Sequence, residues 1–364
     1  MEEKKQKIQE ANLMVGIVRN ELPDSANDWI SACENRNIKY QVIDLSASDW
    51  FEQVTSQKWD FLLLYPSGSF ERYKIMYDER LHIICNELHI ETYPGYNECI
   101  IYENKKMLSY FLQSRKIPHP STRVFYNYEE AKEYVNKTSF PIVAKTSIGA
   151  SGSGVKIIRK QSEALSYLKQ AFKGRGIKRR FGPNRVMGNP RKWFIKAVNS
   201  PAYFFRKIKQ YLEINRNYQY GYVIFQEYIQ HDFEWRIVKI GDSYFAHKKI
   251  RIKDKASGAK VKSFGMPDIN VMDFVEDICK KNNLNFVCMD IFESERGYLV
   301  NEIQCIFGIP YGYLMKVGEE VGRIRKINGE WKFEAGDFTT NHCCDLRLSY
   351  ILQMHEQKIA NGNL

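Results

Sequence analysis

The chain has 364 residues, 44% of them hydrophobic, with 54 Lys and Arg against 43 Asp and Glu and a formal net charge of +11. That length calls for two or three domains, and the hydrophobic content excludes a largely disordered chain. No apolar run approaches the roughly 18 residues of a membrane-spanning helix, and residues 1–9 lack the apolar stretch of a signal peptide, so a cytoplasmic protein is expected.

The eight cysteines are scattered, with no C-x-x-C pair, which argues for reduced thiols and against a zinc site. Cys85 and Cys288 lie in apolar runs and are expected to be buried. The positive charge is local. Residues 173–216 carry thirteen Lys or Arg and one Glu, and the rest of the chain is close to neutral.

In chain order, residues 13–19 read as a buried parallel strand. Residues 24–37 read as a helix with Asp24 or Ser25 as cap and Trp29, Ile30 and Cys33 at helical spacing. Strand 40–45, helix 46–56 and strand 61–65 follow. This alternation predicts a doubly wound parallel sheet. A helix over 104–115 is broken at Ile117-Pro118-His119-Pro120, and a second helix spans 129–135. Strands 140–145 and 155–159, joined by the glycine-rich residues 147–154, predict an antiparallel hairpin. A helix over 162–172 places Leu165, Leu168 and Phe172 on one side. Beyond the basic segment come strands 222–229, 234–240 and 243–251, the last two joined by a tight turn at Gly241-Asp242. Helix 268–282 precedes strands 285–292 and 298–304, which meet at Arg296-Gly297. The tail carries a hairpin signal at Asn328-Gly329 and a helix over 345–357.

Three groups of residues carry chemistry. Lys145 ends a strand and is followed by Gly149, Ser151, Gly152, Ser153 and Gly154. Such a loop can turn backbone amides toward an anion beside a fixed cation, although a plain glycine-rich hairpin has the same composition. Asp290 sits among apolar neighbours, where an unpaired carboxylate is costly. Glu302 and Gln304 are two apart on a strand and share a face. With a carboxylate from the next strand they form an all-oxygen set suited to magnesium; solvent-facing polar residues of an amphipathic sheet are the alternative. The third group is Gln226-Glu227-Tyr228-Ile229, whose backbone edge can pair with a purine, followed by Glu234, placed to take ribose hydroxyls.

These motifs, in this order, resemble the ATP-grasp family over roughly residues 104–308, interrupted by the basic segment. The closest pattern is that of the glutamate-adding ribosomal-protein ligases and glutathione synthetases. The resemblance implies an α/β (α+β) ATP-grasp fold: a Rossmann-like domain over 1–103, a glycine-loop subdomain over 104–172, a basic insertion over 173–220, a catalytic and metal-binding subdomain over 221–315, and a C-terminal extension over 316–364. It makes Lys105 and Lys145 ATP-contacting lysines, Gly149 to Gly154 the loop over the phosphates, and Gln226 to Ile229 the adenine hinge. Glu234 takes the ribose position and Arg236 faces the phosphates. Asp290, Glu302 and Gln304 become ligands of Mg2+, for which Mn2+ can substitute. Gln304 stands where the family usually has Asn, and Asn104 where it has Asp, a capping position that either residue can fill.

The implied activity is ATP-dependent carboxylate–amine ligation through an acylphosphate, with Lys249, Arg251 and Lys262 as further candidates to bind the transferring phosphoryl group. The insertion interleaves its cations with Phe181, Trp193, Phe194, Tyr203, Phe204 and Phe205. That composition suits an anionic membrane surface or a polyanionic acceptor. It favours an enzyme at the inner face of the membrane that joins an amine or amino acid to a small-molecule or saccharide carboxylate in cell-envelope or capsule polysaccharide biosynthesis. An ATP-grasp kinase and a nucleic-acid-binding protein with a vestigial ATP site are the rival readings.

Overall fold

The computed structural model describes residues 13–149, 152–179, 217–252, 255–256 and 262–361. Its first sheet is parallel, in the order β2-β1-β3-β4, built from β1 (Met14–Arg19), β2 (Lys39–Asp44), β3 (Phe61–Leu64) and β4 (Thr92–Tyr93). Alternate side chains enter two different cores. Val15, Ile17, Phe61 and Leu63 pack on one side, and Val18, Leu62 and Leu64 on the other. Apolar side chains on both faces are what a covered parallel sheet requires. Helices α1 (Asn27–Asn35), α2 (Trp50–Thr55), α3 (Glu71–His82) and α4 (Tyr96–Ile101) provide the cover.

Neither Asp24 nor Ser25 caps α1. A 3-10 turn at Pro23–Ala26 precedes it, the cap position is Ala26, and the Ser25 hydroxyl accepts from the Asn20 amide instead. Helices α3 and α4 and strand β4 were not among the elements expected from the sequence.

The second sheet is antiparallel, in the order β5-β10-β6-β7. Its strands are β5 (Thr122–Phe125), β6 (Ile142–Lys145), β7 (Val155–Ile158) and β10 (Val223–Glu227), while β8 (Ile177–Lys178) and β9 (Tyr218–Gln219) form a separate ribbon. Helices α5 (Lys105–Ser114), α6 (Tyr128–Lys137) and α7 (Gln161–Phe172) belong to the same stretch of chain. Phe125, Val135, Ile142, Ala144, Leu168 and Phe225 make one core. Strand periodicity therefore turns Lys145 and Gln226 to the other face. The strand expected to run to 229 stops at Glu227, whose amide bonds to Ser121 O, and Tyr228 and Ile229 continue outside it.

The third sheet contains nine strands among the described residues and runs β16-β15-β11-β12-β18-β17, with β13 and β14 on β12 and β19 on β18. The ranges are β11 (Phe233–Ile240), β12 (Ser243–Ile252), β13 (Lys255–Ala256), β14 (Lys262–Ser263), β15 (Phe286–Ser294), β16 (Gly297–Gln304), β17 (Lys316–Val317), β18 (Glu320–Ile327) and β19 (Glu330–Ala335). Helix α8 (Ile269–Asn282) starts at Asp268, whose side chain accepts from Asn270 N. The terminal α9 (Cys344–Ala360) reaches back to the first domain, where Arg36 donates to the Ser349 hydroxyl at 2.5 Å.

Seven of the eight free cysteines are buried; Cys85, expected in the interior, is half-buried. Burial pushes the Cys288 thiol up to about 11, which keeps it an inert packing group. Among the described residues no helix is long and apolar enough to cross a membrane.

Candidate active site between the glycine loop and the large sheet

The site begins with strand register. On β11 and β12, Glu234 lies opposite Lys249. Between β11 and β15, Arg236 lies opposite Asp290, and between β15 and β16, Asp290 lies opposite Glu302. Cross-strand partners project to the same face, so one face of the large sheet carries Glu234, Arg236, Lys249, Asp290 and Glu302. The guanidinium of Arg236 grips Asp290 with two bonds, Nε to Oδ1 at 2.8 Å and Nη2 to Oδ2 at 2.9 Å. Lys249 Nζ donates to Asp290 Oδ2 at 2.6 Å and to Glu234 Oε2 at 2.5 Å.

Burial alone would push the Asp290 carboxyl up, but Arg236 and Lys249 outweigh it and hold the group well below the usual carboxylate range. Burial likewise opposes the charge on Lys249; Asp290 and Glu234 override it and raise the ammonium. Each charge in this cluster is kept by its neighbours.

The opposing groups come from α5 and from β6 of the second sheet. Lys145 Nζ donates to Asn301 Oδ1 at 2.9 Å. Burial lowers its ammonium to about 8, with Lys105 adding to the effect of burial and Glu302, Glu234 and Asp290 opposing it. Lys105 opens α5, which Asn104 caps by accepting from Met107 N at 3.1 Å. Its Nζ donates to Gly149 O at 2.9 Å and lies 3.3 Å from Glu302 Oε1. Burial disfavours this ammonium, yet Glu302 and Glu103 raise it overall.

The loop itself is closed by Thr146 N donating to Gly154 O at 2.8 Å. A Cβ on residue 154 would sit 1.7 Å from Thr146 Oγ1, so only glycine fits there. Gly149 has φ +152 and Gly152 has φ +65. Ser151 lies outside the described residues, as do 180–216 of the basic segment.

At the end of β10, Gln226 Nε2 donates to Thr122 Oγ1 at 3.0 Å. Glu227 accepts from Ser121 N at 2.7 Å and pairs with Arg296 at 2.5 Å. Arg251 also reaches the segment after β10: Nη2 donates to the Tyr228 hydroxyl at 2.6 Å and Nη1 to His231 O at 3.1 Å. The structure thus brings Lys249 into the carboxylate cluster and Arg251 to Tyr228. Ile229 follows, half-buried. Lys262 lies opposite Lys249 in the β12–β14 pairing, with Nζ 5.1 Å from the Tyr311 ring centroid. Burial, then Arg236 and Lys249, bring it down to about 8.

Sequence reasoning missed two residues that structure the site. Asn301 is the extra residue of a bulge, since Asp290 pairs with Glu302 and Ile291 with Val300. Strict alternation would turn Asn301 away from Glu302; a bulge re-aims one side chain, and Asn301 meets Lys145. Glu103 is buried at φ +48, accepts from Gly149 N at 3.3 Å and accepts from Gln304 Nε2 at 3.1 Å. Its position beside Asn104-Lys105 was the only signal.

Asp290 and Glu302, adjacent across two strands, and the amide of Gln304 are oxygen donors of the kind a hard divalent cation takes. Gln304 spends its amide nitrogen on Glu103, which leaves its carbonyl oxygen as the donor. Among the described residues no group of three or more His, Cys, Asp or Glu is disposed around a common metal position. Both Asp290 oxygens already accept from Arg236 and Lys249, so Asp290 has to share them for these donors to take magnesium.

The family described as Phosphoribosylglycinamide synthetase, ATP-grasp (A) domain, matches residues 103–184. Over 76 residues the chain is 36% identical to the phosphoribosylamine–glycine ligase of Listeria monocytogenes serovar 1/2a (strain ATCC BAA-679 / EGD-e), covering 21% of this chain and 18% of that protein. The chain therefore spans about a fifth of the length of the curated relatives it matches. Among solved structures, the D-alanine–D-alanine ligase of Bacillus anthracis aligns with a TM-score of 0.54 at 14% identity, over 95% of this chain and 99% of that one. The biotin carboxylase domain of Hydrogenobacter thermophilus 2-oxoglutarate carboxylase, solved with MgADP, ADP and bicarbonate, aligns at 0.52 and 13% identity, over 82% and 65% of the two chains. At such identities the likeness is one of fold.

Proposed function

We propose that this chain, which belongs to the ATP-grasp superfamily, is an ATP-dependent carboxylate–amine ligase. The observation that carries the reading is the convergence of Lys105 from α5, Lys145 from β6, and Arg236 and Lys249 from the large sheet on Asp290, Glu302 and Glu234, with Lys262 near enough to Arg236 and Lys249 to be lowered by them. Structural ion pairs alone would not need Lys145, a buried cation whose hydrogen-bond partner is a neutral amide. A polyphosphate would supply the missing negative charge.

ATP enters as a co-substrate, with its base along the backbone of Gln226 to Ile229 and its phosphates beneath the loop of Gly149 to Gly154. Asp290, Glu302 and Gln304 would hold magnesium, which when bound offsets charge on the phosphate oxygens. A substrate carboxylate attacks the γ-phosphorus, the bond to the β-phosphate oxygen breaks, and ADP leaves. The amine then attacks the acyl carbon and expels phosphate, its proton passing to solvent. Lys145 and Lys105 bind phosphate oxygens from the loop side. Arg236 and Lys249, held on the same face by Asp290 and Glu234, offer their remaining N–H groups to the transferring group. Lys262 adds a cation from β14. The carboxylate is placed on a small molecule or sugar acid and the amine on an amino acid or amine. Support for a polyanionic or membrane-bound acceptor comes from the basic, aromatic composition of 173–216.

The test is phosphate release from MgATP against a panel of sugar acids and amines, with mass spectrometry of the products. Release that needs both a carboxylate and an amine supports the ligase. A stable phosphorylated product would make the chain a kinase instead.

A further inference from the structure

His247 is not among the groups used above. It lies opposite Arg236 in the pairing of β11 with β12, and cross-strand partners share a face. It therefore stands on the face that carries the site, one row along from Glu234 and Lys249. Its Nδ1 lies 3.1 Å from Leu314 O. A carbonyl oxygen can only accept, so Nδ1 carries a proton. Burial, then the charges of Lys262 and Arg236, hold the imidazole well below its ordinary range and outweigh Leu314 O and Asp290, which act the other way. The ring is neutral, with a bare lone pair on Nε2. His247 is 2% exposed, and among the described residues its Nε2 is buried with no hydrogen-bond partner.

A buried acceptor left unpaired is costly, and its place on β12 narrows what could pair with it. Arg251 is bonded to Tyr228, in the segment assigned to the base. Lys249 comes next on the same face, in the carboxylate cluster. His247 is one more step of about 7 Å along the strand, at the end away from the base. Of the reacting groups, the γ-phosphate and the ionised carboxylate bring acceptors to this end, and the amine alone brings N–H donors. A line of rings leads to the position. Phe264 packs on His247 at 5.5 Å between centroids, Tyr313 on Phe264 at 5.4 Å, and Tyr311 on Tyr313 at 6.0 Å. Phe264 and Tyr313 are half-buried and Tyr311 is exposed, so His247 ends a line that begins in solvent.

We propose that His247 is the residue that receives the amine: its Nε2 accepts one N–H of the incoming nucleophile and turns the nitrogen lone pair toward the acyl carbon. The assignment rests on the ligase reading and adds to it the group that recognises the nucleophile and the form in which the nucleophile enters. Arg236, Lys249 and Lys262 repel an ammonium, so the subsite takes an uncharged amine. An N–H given to His247 leaves the lone pair free to form the C–N bond. As the bond from carbon to the phosphate oxygen breaks, the surplus proton leaves the nitrogen for solvent.

Two measurements on the full chain test it. In nitrogen NMR of isotope-labelled histidine, with the His247 signals assigned by their loss in His247→Gln, Nδ1 should be protonated and Nε2 bare at neutral pH. A protonated Nε2 would overturn the proposal. The second is hydroxamate formation from MgATP, the sugar-acid panel and hydroxylamine, an amine that is uncharged at neutral pH, for wild type, His247→Asn and His247→Gln. Asparagine can keep the bond to Leu314 O but is too short to place an acceptor at Nε2; glutamine reaches that position with its carbonyl oxygen. His247→Asn should raise the KM for hydroxylamine about five- to tenfold, one hydrogen bond lost. The KM values for ATP and acid should stay unchanged, and His247→Gln should recover at least part of the loss. An unchanged KM for hydroxylamine in His247→Asn, or an equal rise in that for ATP, would overturn the proposal and leave the ligase reading standing. If His247→Asn does not fold, the tautomer found by NMR decides. A wild-type chain that forms no hydroxamate with any acid of the panel would overturn the ligase reading, and this inference with it.

Discussion

Lys145 is held where the empty protein would be better without it. Its side chain is 8% exposed, its hydrogen bond goes to Asn301, and burial brings the ammonium down to about 8 from an ordinary 10.5. Below the folded value the charged form is retained at a cost that this displacement sets at about 3 kcal/mol. Lys145→Met keeps the length of the side chain, removes the charge and loses one hydrogen bond of about 1 kcal/mol. The substitution should therefore stabilise the ligand-free protein by roughly 1–2 kcal/mol at pH 7, once some relaxation around the new methyl is allowed for. The same change should remove most of the stabilisation that MgATP confers by binding the folded state. Urea unfolding with and without MgATP reads both effects. An apo variant less stable than wild type by more than about 1 kcal/mol, or one that keeps the full nucleotide-induced shift, would refute the reasoning, because Lys145 would then be a structural group.

The same lysine gives a pH dependence. Its folded value lies below the unfolded one, so between about 8 and 10.5 the unfolded chain binds more protons and apo stability should rise with pH. Nucleotide binding should reverse this by restoring the proton on Lys145 and on Lys262, also brought to about 8. Titrations near pH 8 in buffers of different ionisation enthalpy should show proton uptake and weaker binding as pH rises, and uptake should vanish in Lys145→Met/Lys262→Met. Asp290→Asn leaves Arg236 and Lys249 without their shared carboxylate and should cost about 3–5 kcal/mol in denaturant unfolding; a loss below about 1 kcal/mol would mean that the pair is not held as described. Gly154→Ala forces a Cβ onto Thr146 Oγ1 and should cost about 1–3 kcal/mol, with faster proteolysis at the loop than in wild type. Deleting 173–216 should abolish flotation with anionic liposomes; equal flotation of both proteins removes the membrane reading of that segment.

Much of the architecture was legible because burial follows short periods. The apolar runs at 13–19 and 61–65 became β1 and β3, and the carboxylate inside an apolar run, Asp290, was bound to have charged partners. Spacing also put Lys249 and Arg251 on one strand face, and the resemblance named Glu234 and Arg236; that Glu234, Arg236 and Lys249 share a face follows from strand register, which the sequence does not carry. Spacing failed at the bulge, where Asn301 takes a direction that no alternation gives. Contacts that join distant segments were equally silent. Glu103 accepts from Gly149, 46 residues on, and from Gln304, 201 residues on, and nothing local to any of them announces the others. Arg251 shows a subtler limit: its strand position was readable, but its partner Tyr228 lies just beyond the end of β10, where the chain leaves the ladder.

The central claim is that lysines from the loop side and carboxylates from the large sheet meet at one metal-bound nucleotide. Calorimetric titration of ATP at varied magnesium concentration, into wild type and into Asp290→Ala/Glu302→Ala, tests it directly. Wild type should bind one ATP per chain with an affinity that rises with magnesium, and the double variant should lose that dependence. Equal magnesium-dependent affinity in the two folded proteins would contradict the account.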